Sequence, residues 1–489
     1  MGKKKLLKLL RTLTKEETRQ FARWIDADVI SQSTALQELY GYVRKFYPTY
    51  PSDDLSLENI ASAVFTKEAY NPKKIRDLLS DLSLLLEDYL AWVEVRADNL
   101  LRRKVLARSM ARRNDLENFD QQIYQAKQLL QRNKRRGLWH YRELNYLNDL
   151  YFTEPVASSR TLTSVKEVLS KYEITQIYIT LNYVQLELGR LANLTLNRKT
   201  DQPTYLDSAH VALIEKLSAD LPVFEMISYL LYALKQDVTI STYKELKTKF
   251  INLREEFDFE NDLDFFKVIR NYVTHLQRLY SKEGAILNEV IDFEHYGLES
   301  GIYSVGKRIS DGTFINLVVL FSYHRGFVFT EEFIKKYSQK LRLSTRTTII
   351  NVARAYNHFR IKDFDAVLRL LHEVQLEDPV IKLRYRTILL RTYLEQILAN
   401  NTDLLPLATS FSVAFIRFVR RDDKFQGNLR QSYINMISFI KFLLTQIDTP
   451  PWKRKSIESL RSKLLSYENI ALKGWLHQKI DQYEVFYMN

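Results

Sequence analysis

Apolar residues recur at three- and four-residue intervals along most of the chain and strand-like alternation is missing, a pattern that predicts an all-α protein. Thr14 followed by Glu17 forms a capping-box signature just ahead of Phe21, Ala22, Trp24 and Ile25, because each side chain can satisfy a backbone N–H at a helix start. A second helix is predicted over Leu36–Phe46, ending at Tyr47-Pro48-Thr49-Tyr50-Pro51, where two prolines interrupt helical hydrogen bonding. Ser56 opens a short helix from Leu57 to Phe65. Asn71-Pro72 starts the next, with Asn as cap and Pro at the first helical position. Beyond it, Ile75, Leu78, Leu79, Leu82, Leu85, Leu86, Tyr89, Leu90 and Val93 build one apolar stripe, the mark of a core helix.

A basic helical stretch follows, with Leu100, Leu101, Val105, Leu106 and Met110 on one side and arginines elsewhere. From about Leu116 the pattern becomes uniform: amphipathic helices of about fifteen residues joined by short polar links. Leu116–Gln131, Trp139–Tyr151, Leu206–Ala219 and Phe224–Gln236 are examples. Helices that each own an apolar face and lack a central sheet bury it by stacking pairwise. The expected organisation is a helical head over 1–95, basic connecting helices over 96–136 and a repeat body over 137–489, with a helix-turn-helix-like pair inside 56–82.

The repeat is clearest at Asn351–Pro379, reading NVARAYNHFRIKDFDAVLRLLHEVQLEDP. This segment resembles a tetratricopeptide (TPR) unit. Ala353, Ala355 and Tyr356 match its first helix, Lys362-Asp363-Phe364 its inter-helix turn, Leu371 and Val374 its second helix, and Asp378-Pro379 its terminus. Small residues admit the neighbouring helix and aromatics fill the groove. Arg360-Ile361 replaces the usual glycine-containing turn, and Val367 stands where a small residue is expected. The resemblance implies a small N-terminal helical domain followed by an α-solenoid of TPR-like hairpins, a layout similar to bacterial proteins with a helical head and a degenerate repeat body. It also implies a curved surface for a partner protein.

Composition agrees with long helices. Across 489 residues there are only 12 Gly and 10 Pro, too few for architectures built on many tight turns, and 30 Tyr and 26 Phe supply large buried areas at helix crossings. The chain has no cysteine, which removes disulfides, thiolate chemistry and cysteine-based metal sites and points to a reducing, cytoplasmic setting. Charge interrupts the apolar runs before the ~18 residues needed to cross a bilayer, so no transmembrane segment is expected. The basic start, Met1-Gly2-Lys3-Lys4-Lys5-Leu6, lacks both a signal peptide's apolar core and a Ser or Thr for the myristoylation pattern.

Candidate chemistry is sparse. Gly301-Ile302-Tyr303-Ser304-Val305-Gly306-Lys307-Arg308 nearly matches a phosphate-binding loop, but Arg308 takes the Ser/Thr position and no strand precedes it, so a turn between helices is expected. The eight histidines form no close ligand pair, and no nucleophile elbow is present. The acidic run Glu255–Asp262 lacks the spaced ligands and glycine of a calcium loop and reads as a solvated helix end or loop. No catalytic residue, cofactor or metal is expected.

The net charge is +13, and twelve Lys/Arg stand against four Asp/Glu between Arg96 and Arg136, a local excess of eight. Arg102, Arg103, Lys104, Arg108, Arg112, Arg113, Arg132, Lys134, Arg135 and Arg136 are therefore the candidate binding surface. Smaller clusters at Arg417, Arg420, Arg421 and Lys424, and at Lys453, Arg454 and Lys455, could extend it. The expected function is a non-enzymatic scaffold or adaptor that binds an acidic partner protein. The alternative is a nucleic-acid-associated regulator, in which Lys73, Lys74 and Arg76 of the head join the basic stretch in contacting phosphates.

Overall fold

A computed structural model describes residues 2–27, 33–65, 71–159, 164–197, 206–236, 238–279, 284–305, 308–372, 374, 376, 378–448 and 454–488. The protein is all-α, with 23 α-helices among the described residues. The only extended pieces there are the two-residue segments Ser304–Val305 and Arg308–Ile309. The chain divides into two compact units, Met1–Val305 and Gly306–Asn489, so the expected repeat body is split between them.

The first unit opens with α1 (Gly2–Leu10), α2 (Lys15–Ile25), α3 (Thr34–Val43), α4 (Leu57–Val64) and α5 (Pro72–Ala97). The capping box at the start of α2 is formed in both directions, with Thr14 Oγ1 accepting from Glu17 N and Glu17 accepting from Thr14 N. Ser56 caps α4, and Asn71 accepts from both Lys73 N and Lys74 N ahead of Pro72. The first four helices pack around α5, whose Ile75, Leu79, Leu82, Leu86 and Tyr89 are fully enclosed with Phe21 and Tyr40.

Next come α6 (Asn99–Arg112), α7 (Leu116–Arg132), α8 (Leu138–Thr153), α9 (Val165–Asn197), α10 (Ser208–Leu217), α11 (Pro222–Lys235), α12 (Ile240–Leu253), α13 (Phe259–Leu279) and α14 (Gly284–Glu299). Neighbours in sequence pack on each other, and α9 also packs on α11 and α13. The expected uniform helix of about fifteen residues does not hold here: α9 has 33 residues and α13 has 21. Aromatic rings set much of the core, with Phe266 and Phe293 stacked at 4.6 Å between α13 and α14.

The second unit contains α15 (Asp311–His324), α16 (Phe327–Tyr337), α17 (Arg346–Arg360), α18 (Phe364–Leu371), α19 (Pro379–Leu398), α20 (Leu405–Arg421), α21 (Gly427–Asp448), α22 (Arg454–Leu465) and α23 (Lys473–Met488). Helices α17 and α18 form a hairpin around Lys362, whose φ of 62° lies in the left-handed region, and Asp363 caps α18 by accepting from Ala366 N. Ala353 and Ala355 are buried, and α18 stops at Leu371, so Val374 lies past its end. Helix α19 is the centre of the unit. It buries a charged pair: Glu395 accepts from Lys479 Nζ at 2.6 Å and from Trp475 Nε1 at 3.1 Å, both on α23. Arg391, one turn earlier, lies between the rings of Phe359 and Trp475 and donates to the Tyr323 hydroxyl.

One apolar run is longer than the sequence reading allows. Thr402–Arg421 reaches a mean hydropathy of 1.3 over a span long enough, by length and composition, to cross a membrane. In the fold this segment is α20 with its preceding turn, and it packs on α19 and α21 through Leu405, Ala408, Phe415 and Val419.

Candidate basic interface

The basic stretch folds as the hairpin α6–α7. Asp98 caps α6 by accepting from Leu101 N at 3.0 Å, and Asp115 caps α7 by accepting from Asn118 N at 3.1 Å. Asn114, with φ of 56°, reverses the chain between them. Leu100 and Ala107 on α6 meet Phe119, Ile123, Ala126 and Leu130 on α7, and the two alanines leave room for the helix axes to approach. With that side buried, Arg102, Val105, Arg108 and Arg112 fall at spacings of three, three and four and form one exposed row.

The ten candidate cations are not equivalent. Arg103 donates to Gln122 at 2.8 Å, and Lys104 is paired with Glu143 of α8 at 2.6 Å, with its ammonium over the Tyr146 ring. The Arg108 guanidinium lies over the same ring, 5.3 Å from its centroid. Arg113, just past the end of α6, donates to Ser109 O at 3.0 Å. Arg135 is paired with Glu255, and the backbone N–H of Arg136 donates to Glu256 O at 2.8 Å. Arg102, Arg112, Arg132 and Lys134 are exposed, and their side chains carry no hydrogen bond or ion pair among the described residues.

The acidic run Glu255–Asp262 is what receives part of this charge, and its core is not the solvated helix end expected from sequence. Asp258, Asn261 and Asp262 are all buried. Asn261 Oδ1 accepts from Leu138 N at 2.6 Å and Asp258 Oδ2 from His140 N at 3.2 Å, so the first turn of α13 caps the first turn of α8. Arg142 binds Glu260 through two hydrogen bonds of 3.0 and 2.8 Å, and Arg254 binds Asp262 at 2.8 Å. Gly137 makes the close approach possible, since a Cβ there would lie 2.3 Å from Asn261 Oδ1. Burial pushes the Asp258 carboxyl above its ordinary range, against the pull of the N–H groups it accepts from. Burial, with a smaller contribution from Arg136, lowers His140 from 6.5 to about 4.

On the head, Lys73 and Arg76 are exposed on the first turns of α5, and Lys74 lies 4.3 Å from the centroid of Phe65. The link 66–70 between α4 and α5 lies outside the described residues, so the turn of the proposed helix-turn-helix does too. In the glycine-containing segment, Gly301 adopts a φ of 79° just past the end of α14 and Tyr303 donates to Glu294, while Gly306 and Lys307 lie outside the described residues. Arg417, Arg420, Arg421 and Lys424 are exposed near the end of α20; Lys453 and the side chains of Arg454 and Lys455 are again outside the described set. Among the described residues no group of three or more His, Asp or Glu is arranged to hold a metal ion. Compared with family models, curated proteins and solved structures, the chain matches none.

Proposed function

We propose that the chain is a non-enzymatic scaffold or adaptor, a helical-repeat protein that presents the outer row of α6 and the end of α7 to an acidic segment of a partner protein. The observation that carries this reading is the division of the cations: Lys104 and Arg135 are held by Glu143 and Glu255, whereas Arg102, Arg112, Arg132 and Lys134 stay exposed. Fixed neighbours hold the row in place, and the uncommitted guanidinium groups remain to meet carboxylates. A repeat architecture is supported by the packing of α15, α17 and α19 on one another as well as on the helices between them, the neighbour pattern of stacked hairpins. The α17–α18 hairpin carries the TPR resemblance.

The exposed Lys73 and Arg76 favour a second reading, in which the head contacts nucleic acid and the basic row adds phosphate contacts. One experiment separates the two. The protein and its Arg102→Glu/Arg112→Glu/Arg132→Glu/Lys134→Glu variant are used to capture partners from native extract and to titrate duplex DNA and single-stranded RNA across a salt series. The scaffold reading expects salt-sensitive protein capture that the variant loses. Tight nucleic-acid binding with no such capture would replace it with the second reading.

A further inference from the structure

Two exposed rows on consecutive helices carry opposite charge. On α5, Asp77, Asp81, Leu84 and Asp88 follow one another at intervals of four, three and four, and all four are exposed, Leu84 to 57%. The three carboxylates carry no hydrogen bond or ion pair among the described residues. On α6, the row described above, taken backwards, reads Arg112, Arg108, Val105 and Arg102 at intervals of four, three and three, with Val105 46% exposed. At a rise of about 1.5 Å per residue the two rows are about 16 and 15 Å long.

Neither row suits the helix that carries it. Asp77 and Asp81 stand one turn apart, as do Arg108 and Arg112, and like charges at that spacing work against helix formation. Leu84 and Val105 each leave an aliphatic side chain in water between charges. Laid antiparallel, each row supplies what the other lacks. Asp77 falls opposite Arg112, Asp81 opposite Arg108, Leu84 opposite Val105 and Asp88 opposite Arg102, so opposite charges meet on both sides of one apolar contact. Parallel alignment loses this match, because it sets Asp81 against Val105 and Leu84 against Arg108. Both rows are open in the folded chain, so the pairing belongs between copies.

We infer that the outer rows of α5 and α6 are the two halves of a homodimer interface, in which α5 of each copy lies antiparallel on α6 of the other. Along the chain Asp77 lies eighteen residues before Val95 and Arg112 seventeen after it, so a two-fold axis beside Val95 forms both pairings at once. The inference rests on the reading of the α6 row as a surface for carboxylates, and it names the segment that supplies them. Exposed ion pairs contribute little singly and are screened by salt, so the dimer belongs to the micromolar range and to low ionic strength.

The test uses the full-length protein at a concentration on the order of tens of micromolar. Sedimentation equilibrium in about 50 mM salt should give twice the 58.0 kDa chain mass, and in about 0.5 M salt the mass of one chain. The variants Asp77→Arg/Asp88→Arg and Arg102→Glu/Arg112→Glu should each weaken association by about a hundredfold or more with an unchanged circular dichroism spectrum, because each sets like charges against one another. Mixed, the two variants should recover a one-to-one dimer: the new arginines of one meet the new glutamates of the other, and the untouched rows meet each other. A parent that stays monomeric in low salt, a dimer indifferent to either pair of substitutions, or a mixture that stays monomeric would each overturn the inference. A monomeric parent that still captures protein from extract through the α6 row would overturn it and leave the function proposed above in place, whereas a parent that neither dimerises nor captures protein through that row would overturn both.

Discussion

Lys104 on α6 reaches Glu143 on α8 across 2.6 Å, with only 18% and 12% of the two side chains exposed. Arg102, two residues earlier, is exposed and has no partner among the described residues. The same short basic run therefore supplies both an internal tie and an external surface. Substitution should separate them. Lys104→Ala leaves a largely enclosed carboxylate and should cost about 2 kcal/mol of stability, whereas Arg102→Glu with Arg112→Glu should stay within about 0.5 kcal/mol of the parent. Urea denaturation curves give both values.

Gly137→Ala should destabilise the first unit by about 2 kcal/mol or more. The added Cβ would fall 2.3 Å from Asn261 Oδ1 and 2.7 Å from Asp258 Oδ2, and moving these acceptors strips the caps from Leu138 N and His140 N. Asp258→Ala, which removes a cap without the clash, should cost less, about 1–2 kcal/mol. Thermal melts of the two variants give the order.

His140 makes stability depend on pH. Its folded value of about 4 lies below the ordinary 6.5, so as pH falls through 6.5 the unfolded chain takes up a proton that the folded chain refuses. Stability therefore drops between pH 6.5 and about 4, by up to about 3 kcal/mol, and levels off below. The raised Asp258 carboxyl works the other way, since the folded form holds its proton more readily, and it offsets part of the loss at the acid end. In His140→Gln the melting temperature should vary less over this window than in the parent.

Glu395→Gln tests the centre of the second unit. The substitution leaves the Lys479 ammonium, about nine-tenths enclosed, against a neutral amide and should cost about 3 kcal/mol. Fluorescence of Trp475, which donates to the same carboxylate, should shift with the change. An unchanged denaturation midpoint would mean that α23 is not held by this pair.

What can be read from the sequence is local. The caps at Thr14, Ser56 and Asn71 and the apolar stripe of α5 depend on residues a few positions apart, and each is found in the structure. The destination of charge is not legible. Lys104 finds its acid 39 residues away and Arg135 finds one 120 residues away, and no spacing rule links such positions. The acidic run Glu255–Asp262 reads as solvated because five of its eight residues are acidic; the burial of Asp258 and Asn261 comes from α8 arriving against it.

The cap on α8 also sets an order of assembly. Leu138 N and His140 N have their acceptors 123 and 118 residues further along the chain, in Asn261 and Asp258. At a synthesis rate of about 5–20 residues per second, those acceptors leave the ribosome roughly 6–25 seconds after the helix that needs them. Throughout that interval the first turn of the nascent α8 lacks the protein acceptors it has in the finished fold, and its capping is completed only when α13 has been made. A unit whose helices pack neighbour on neighbour from the N-terminus is, at this point, fastened from behind.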